Sequence, residues 1–142
     1  MKKKIILTLL GSILVVLFVF GLLVGSFDFT RSKKIGKTDY SLVDECPPGT
    51  RYWGLYHKDR LEGVIGGCVR NVYWNERYIL VKTHYGANSD SIEGYYIIEM
   101  LPPVKRGVPW KKTGLLSADE YEQKKQELHL NEKEMKHIDL FD

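Results

Sequence analysis

An uncharged and mostly apolar stretch lies near the start of the chain. Residues 5–24 carry no charged side chain, and three lysines at positions 2–4 precede them. As a helix, this length spans about 30 Å, the thickness of the hydrocarbon core of a bilayer. A basic n-region (residues 1–4) before an apolar segment is typical of signal peptides and of uncleaved signal anchors, and the length favours the anchor. We therefore predict a transmembrane helix over residues 5–24.

After this stretch the pattern of apolar and polar positions changes twice. Residues 25–38 are polar and basic without apolar periodicity, which predicts a tether next to the membrane. From residue 39 onward, short runs of aromatic and β-branched residues are bounded by Gly, Pro and Asn, a pattern typical of strands. Strands are predicted at residues 40–44, 52–57, 68–74, 78–83 and 95–100.

The clearest strand pair is a hairpin over residues 69–82. Asn75 and Glu76 would form its two-residue loop, although Glu replaces the Gly that a type I′ turn prefers. In this register Val72 lies opposite Ile79. One face would hold Val72, Trp74 and Ile79, and the other would hold Tyr73, Tyr78 and Leu80.

The C-terminal part carries the clearest helix signal. Ser117 and Glu120 have the spacing of a capping box, in which each side chain binds the backbone of the other residue. The helix is predicted over residues 118–128. The same spacing recurs from Asn131, which predicts a short helical tail over residues 131–142.

These elements define the expected fold class. Three prolines at positions 102, 103 and 109 predict an irregular segment between the last strand and the helix. The fold class is therefore α+β: an N-terminal transmembrane helix, then a small antiparallel β-meander with a C-terminal helix packed on it. The small domain is expected over residues 39–130.

Charge is unevenly distributed along the chain. The net charge is +3, but residues 1–37 hold seven of the 21 basic residues and one of the 18 acidic residues. The remainder carries a mild acidic excess. Because the part long enough to fold has no basic stripe, we exclude nucleic acid as a partner. The basic residues beside the apolar stretch suit anionic lipid headgroups instead.

The two cysteines and the flanking charges bear on topology. Cys46 and Cys68 lie on turn-rich segments without CxxC spacing, and an even number permits one structural disulfide in an oxidising compartment. Two unpaired thiols are the alternative. Positive charges flank the apolar stretch almost equally, with three lysines before it and four basic residues at positions 31–37 after it. We place the domain on the extracytoplasmic side, and the charges leave a cytoplasmic domain as an alternative.

The motifs do not support a catalytic or metal site. His57, His84, His129 and His137 have neither the i, i+4 spacing nor the HExxH frame of a zinc site, so no metal and no cofactor is predicted. Cys68 with His84 would be the one candidate nucleophile and base, but no local nucleophile signature surrounds Cys68. No catalytic residue is predicted.

Aromatic side chains are the most suggestive feature for binding. The chain holds three Trp and nine Tyr, and Tyr52, Trp53 and Tyr56 lie close together in sequence. Exposed aromatic rings stack on sugars or fill a groove in a partner, whereas most rings of a small domain form its core. These three residues are a candidate aromatic binding surface, with core packing as the alternative.

Three segments of the chain are similar to those of a known family. The order VRNVYWNERYILVK, GYYIIEM and GLLSADEYEQKKQEL, within residues 69–128, resembles small, bacterial, signal-bearing proteins of the domain of unknown function 3997 family. Two departures are the absence of a lipobox cysteine and Leu115, which stands where the family has Pro. The resemblance implies export and a shared fold, and it implies no catalytic residue. The matching residues are Trp74, Tyr78, Ile79, Tyr95, Tyr96, Ile98, Gly114, Leu116, Ser117, Glu120 and Tyr121.

Together these observations predict a membrane-anchored, extracytoplasmic domain. It would be a non-enzymatic binding or accessory module of the cell envelope, located in the cell membrane. Its expected partners are membrane lipid, through residues 5–24, and an envelope protein or a wall polymer. Two alternatives stay open: a secreted enzyme or inhibitor released by cleavage near Ser26, and a cytoplasm-facing membrane-bound regulator. The sequence does not determine the oligomeric state.

Overall fold

The computed structural model of the chain describes residues 31–45, 52–59, 63–86 and 89–141. All of them belong to one compact unit, Arg31–Asp142. The transmembrane helix predicted at residues 5–24 lies outside the described residues. Within the described ranges, no helix is long and apolar enough to cross a membrane.

The described residues form an antiparallel sheet followed by a helix. Strands β1 to β7 pair in sequence order, and an eighth strand, β8, pairs with β4. This confirms the predicted antiparallel β-meander with a C-terminal helix. The elements are β1 Ser32–Lys34, β2 Tyr40–Asp44, β3 Trp53–His57, β4 Ile65–Trp74, β5 Tyr78–His84, β6 Ile92–Met100, β7 Trp110–Leu116, α1 Ala118–Glu127, a 3₁₀ helix Glu132–Glu134 and β8 Lys136–Asp139.

Strand β4 has two successive neighbours on the same side. Its first half pairs with β3, where Trp53 lies opposite Val69. Its second half pairs with β8, where Trp74 lies opposite Lys136. The C-terminal strand therefore satisfies the backbone groups that β3 no longer reaches.

The β4–β5 hairpin differs in register from the prediction. Asn75 N–H donates to the Tyr78 carbonyl at 3.0 Å, and the Asn75 side-chain Oδ1 accepts from the N–H groups of Arg77 and Tyr78. Because Asn75 closes the turn itself, the loop residues are Glu76 and Arg77, and Val72 pairs with Val81. The predicted pairing of Val72 with Ile79 is wrong by two residues, and a shift of two leaves every side chain on its predicted face.

The sheet buries both of its faces around β4, β5 and β6. The inner face packs against side chains of β2 and β3, and the outer face packs against α1. The inner cluster includes Leu42, Trp53, Leu55, Val72, Trp74, Ile79, Val81 and Ile98. The outer cluster is built on Tyr78, Leu80, Ile97 and Tyr121.

Three strands were absent from the sequence-based expectation. Strand β1 lies in the predicted tether, and all three of its residues are exposed, so it has no apolar pattern. Strand β7 lies partly in the segment that the prolines marked as irregular. The segment predicted as a helical tail, residues 131–142, forms the short 3₁₀ helix and then the strand β8. All three strands are held by backbone pairing, which side-chain periodicity does not report.

Candidate binding cleft

A half-open cleft of about 750 Å³ lies beside the inner core. Its walls come from the turn before β2, the end of β3, the β4–β5 turn, the β6–β7 loop and the start of β8. Five segments far apart in sequence therefore meet here because the sheet folds the first strands over β4 to β6. A concave site of this volume is the usual size of a pocket for a small ligand or for part of a larger one.

Aromatic rings form the closed side of the cleft. Tyr40 and His57 pair across β2 and β3, with ring centroids 4.9 Å apart and an edge-to-face arrangement. Trp110 packs against both rings, at 6.4 Å from Tyr40 and 5.5 Å from His57. The Tyr40 hydroxyl donates to the Pro109 carbonyl at 3.2 Å, which fastens β2 to the β6–β7 loop. Burial, and then the charge of Asp39, raise the pKa of Tyr40 to about 12, so this phenol stays a donor.

His57 supplies a buried polar group on the cleft wall. Its side chain is 5 % exposed, and its Nδ1 accepts from the Asp59 backbone N–H at 3.3 Å. Because Nδ1 is the acceptor, the neutral ring carries its proton on Nε2. Among the described residues Nε2 has no hydrogen-bonding partner. The cleft therefore holds a donor that a ligand could satisfy.

The cleft is rimmed by charged side chains. Asp39 forms an ion pair of 3.0 Å with Lys58, and Glu134 accepts from the Asn131 side-chain amide at 2.7 Å. The other charged groups of the rim have no ion-pair partner in the described part of the chain. In the described ranges, the charged groups of the rim are the carboxylates of Asp39, Asp59, Glu76 and Glu134 and the ammonium groups of Lys37 and Lys136.

The β6–β7 loop provides an aliphatic wall. Leu101 is 39 % exposed and Val104 is 48 % exposed, and both line the cleft together with Met100 and Pro103. The Leu101 N–H donates to the Pro109 carbonyl at 2.9 Å, which closes the base of the loop. Large apolar side chains left this open to water are typical of surfaces that receive a partner.

The candidate nucleophile and base from the sequence lie outside the cleft. The Thr38 hydroxyl, which also lines it, donates to the Ile35 carbonyl at 2.6 Å and so serves the turn before β2. Neither Cys68 nor His84, the candidate pair from the sequence, lines the cleft. Within the described residues, no group of three or more His, Cys, Asp or Glu side chains is placed to hold a metal ion.

The structure separates the three residues of the candidate aromatic surface. Trp53 is 7 % exposed and belongs to the inner core, so it does not form an exposed aromatic surface with the other two. The Tyr52 ring covers Gly67, where an added Cβ would lie 2.3 Å from Cε1 of the tyrosine. The Tyr56 hydroxyl donates to Glu45 at 2.6 Å. A binding role for Tyr52 and Tyr56 stays a prediction.

Glu45 also binds the backbone next to Cys68. Its second carboxylate oxygen accepts from the Gly67 N–H at 2.9 Å, at a bulge where Gly67 has φ +20° and Cys68 has φ +63°. Cys68 is half-buried and forms no disulfide within the described residues. Cys46 lies outside the described residues, so the disulfide between them stays a prediction.

Of the sequence-based candidates that the structure describes, only His57 lies in the cleft. His84 is fully buried against Phe141, and His137 stacks on Tyr73 with ring centroids 4.3 Å apart. Antiparallel pairing of the predicted strands 40–44 and 52–57 would place Tyr40 beside His57. No sequence pattern indicated the aliphatic wall, because its loop was expected to be irregular.

Comparison with known proteins identifies no relative. No protein-family model, no curated protein and no solved structure matches the chain.

Proposed function

We propose that the chain is a membrane-anchored, non-enzymatic binding module whose ligand occupies the cleft. The observation that carries this proposal is the half-open cleft of about 750 Å³ with an exposed aliphatic wall and the His57 imidazole, whose Nε2 has no hydrogen-bonding partner among the described residues. Its aromatic side is held by the bond from Tyr40 to Pro109, so the cleft exists before a ligand arrives. Pre-formed concave sites of this kind are the usual place for ligands.

A cleft-blocking substitution tests the binding role. Val104→Trp puts an indole at the aliphatic wall, whereas Val108→Trp adds the same side chain to an exposed position of the same loop that does not line the cleft. Compounds and peptides would be screened against the full-length chain by ligand-observed NMR. The proposal requires ligands that Val104→Trp loses and Val108→Trp keeps. A screen whose ligands all survive Val104→Trp would contradict it.

The membrane part of the proposal rests on the sequence. Residues 5–24 supply an apolar segment of bilayer length, so membrane lipid is the first partner, and the domain is proposed to lie on the extracytoplasmic side. The second partner is an envelope protein or a wall polymer. Mass spectrometry of the mature N-terminus tests the anchor, because a chain beginning at Phe27 would be a secreted protein.

The side of the membrane has its own test. A Tyr85→Cys variant, at a position that is 60 % exposed, would be made in a chain with Cys46→Ser and Cys68→Ser. Labelling of intact cells by a membrane-impermeant maleimide is the expected result. Labelling only after permeabilisation would support the alternative, a cytoplasm-facing regulator.

Membership of the domain of unknown function 3997 family is also a proposal. Several matching residues lie together in the outer cluster, where Tyr95 stacks on Tyr121 with ring centroids 4.5 Å apart and Leu116 packs nearby. A shared motif made of such residues would preserve the docking of α1 on the sheet. It would carry no information about the ligand.

A further inference from the structure

We infer that the cleft binds a peptide segment of a partner protein, one that carries aliphatic side chains and a positively charged side chain. This inference rests on the proposed function, because it names the ligand class of the same site. Three independent properties of the cleft lead to it: the kind of apolar surface, the mixture of polar groups and the balance of charge.

The apolar surface of the cleft is aliphatic. Leu101 and Val104 are 39 % and 48 % exposed, whereas Tyr40 and Trp74, the aromatic residues with rings on the cleft, are 3 % and 8 % exposed. Sugars are recognised largely through open aromatic ring faces, and those faces are covered here. Aliphatic side chains of a peptide would cover Leu101 and Val104, and the removal of this apolar surface from water would favour binding.

The polar groups of the cleft include both donors and acceptors. His57 offers the Nε2 proton from a side chain that is 5 % exposed, while Asp59 and Glu76 offer carboxylate oxygens. A lipid tail would leave all of them without partners, which is costly in a partly desolvated site. Each residue of a peptide carries one backbone donor and one acceptor, so an extended segment can satisfy both kinds.

The charge of the rim selects among peptides. Among the described residues, four carboxylates face two lysines, and the pair of Asp39 with Lys58 removes one carboxylate from the count of free charges. The remaining excess is acidic. An acidic segment would therefore be repelled, and a lysine or arginine side chain on the ligand would be attracted.

The experiment uses the full-length chain in phosphatidylcholine nanodiscs, with empty nanodiscs as the background. Four probes are compared by fluorescence polarisation: a capped six-residue peptide alternating leucine and lysine, the same peptide with glutamate for lysine, the same with serine for leucine, and labelled chitotetraose. We expect the leucine–lysine peptide to bind, and each changed peptide to bind about tenfold more weakly.

Matched variants connect binding to the cleft. Val104→Ser is expected to weaken the leucine–lysine peptide about fivefold, whereas Val108→Ser, outside the cleft, leaves it unchanged. Glu76→Gln weakens the same peptide through charge, and Glu93→Gln, which removes the same charge from an exposed position elsewhere, is the control.

Two results would overturn the inference in distinguishable ways. Tighter binding of chitotetraose, lost in Val104→Trp, would leave the cleft as a site and reject the peptide class, whereas tighter binding of the glutamate peptide, lost in the same variant, would reject the positive charge of the ligand. Binding of the leucine–lysine peptide that survives Val104→Trp would place it elsewhere and would count against the proposed function as well.

Discussion

The Tyr121 hydroxyl donates a hydrogen bond of 2.8 Å to Oε1 of Glu132, and this contact ties α1 to the 3₁₀ helix that follows it. Tyr121 is 1 % exposed. The same carboxylate forms ion pairs with Lys82 of β5 at 2.9 Å and with Lys125 of α1 at 3.1 Å. One carboxylate thus joins three elements on the outer face of the sheet, immediately before the chain enters β8.

Replacing this carboxylate should destabilise the fold. Glu132→Gln keeps the shape of the side chain but leaves the ammonium groups of Lys82 and Lys125, which are 21 % and 11 % exposed, without their shared anion. We expect a loss of about 2 kcal/mol in the free energy of unfolding, measured by urea denaturation. Glu127→Gln, which breaks an exposed pair with Lys124, is the control and should change little. Equal losses in the two variants would contradict a role specific to Glu132.

The same carboxylate predicts a dependence on pH. Burial acts to raise the pKa of Glu132, but hydrogen bonds from Lys82, Tyr121 and Lys125 outweigh burial and hold the pKa below the ordinary 4.5. A depressed pKa means that the stabilisation is complete above the ordinary value and is lost as the pH falls through the folded pKa. Below pH 4.5 the wild-type chain should therefore lose stability more steeply than Glu132→Gln. Parallel pH profiles would show that another group is responsible.

The start of α1 depends on a reciprocal cap. The Ser117 hydroxyl accepts from the Glu120 N–H at 3.3 Å, and the Ser117 N–H donates to the Glu120 carboxylate at 2.8 Å. Ser117→Ala should cost about 1 kcal/mol in the free energy of unfolding, because one helix N–H loses its acceptor. Ser117→Thr keeps the hydroxyl and should restore most of this loss. If the threonine variant is as unstable as the alanine variant, the cap is not the cause.

Local side-chain chemistry made part of the fold predictable. The Ser117 and Glu120 spacing located the start of α1 to the residue, because a capping box is a contact within one turn. The division of Val72 and Tyr73 between two faces was also predictable, since alternation along a strand does not depend on register. The register itself depended on the Asn75 side chain, which moved the turn by one residue.

Only one pair of residues in the cleft could be predicted from the sequence. Tyr40 beside His57 follows from pairing two predicted strands, but Val104 reaches the same cleft from a loop about 50 residues away in sequence. Such a contact depends on how the sheet folds over itself, and no periodicity in one segment encodes that. The strand β8, which places Lys136 at the cleft, was hidden for the same reason, because its partner β4 is more than 60 residues earlier.

The bulge in β4 should tolerate a methyl group at one glycine and reject it at its neighbour. A Cβ on Gly67 would lie 2.3 Å from the Tyr52 ring, and its φ of +20° is unfavourable for other residues, whereas a Cβ on Gly66 meets nothing within 4 Å. Gly67→Ala should therefore lower the free energy of unfolding by about 2 kcal/mol. Gly66→Ala should be close to neutral. A thermal-denaturation comparison in which both variants behave alike would show that Tyr52 does not pack on the bulge in solution.

Two tyrosines share a raised pKa for different reasons, and one substitution should separate them. The hydrogen bond to Glu45, then burial and the charge of Glu45, raise the pKa of Tyr56 to about 12. Burial, followed by Asp39, raises the pKa of Tyr40 to about 12. In Glu45→Ala, the pKa of Tyr56 should fall towards its ordinary 10.0 while that of Tyr40 stays high, as followed by the pH dependence of the ¹³C chemical shift of each Cζ. Tyr40 is thus the internal control, and a pKa of Tyr56 that is unchanged in the variant would mean that Glu45 does not accept a hydrogen bond from the Tyr56 hydroxyl. A lowered value would also support the placement of Glu45 over the bulge, since the same carboxylate binds the Gly67 N–H.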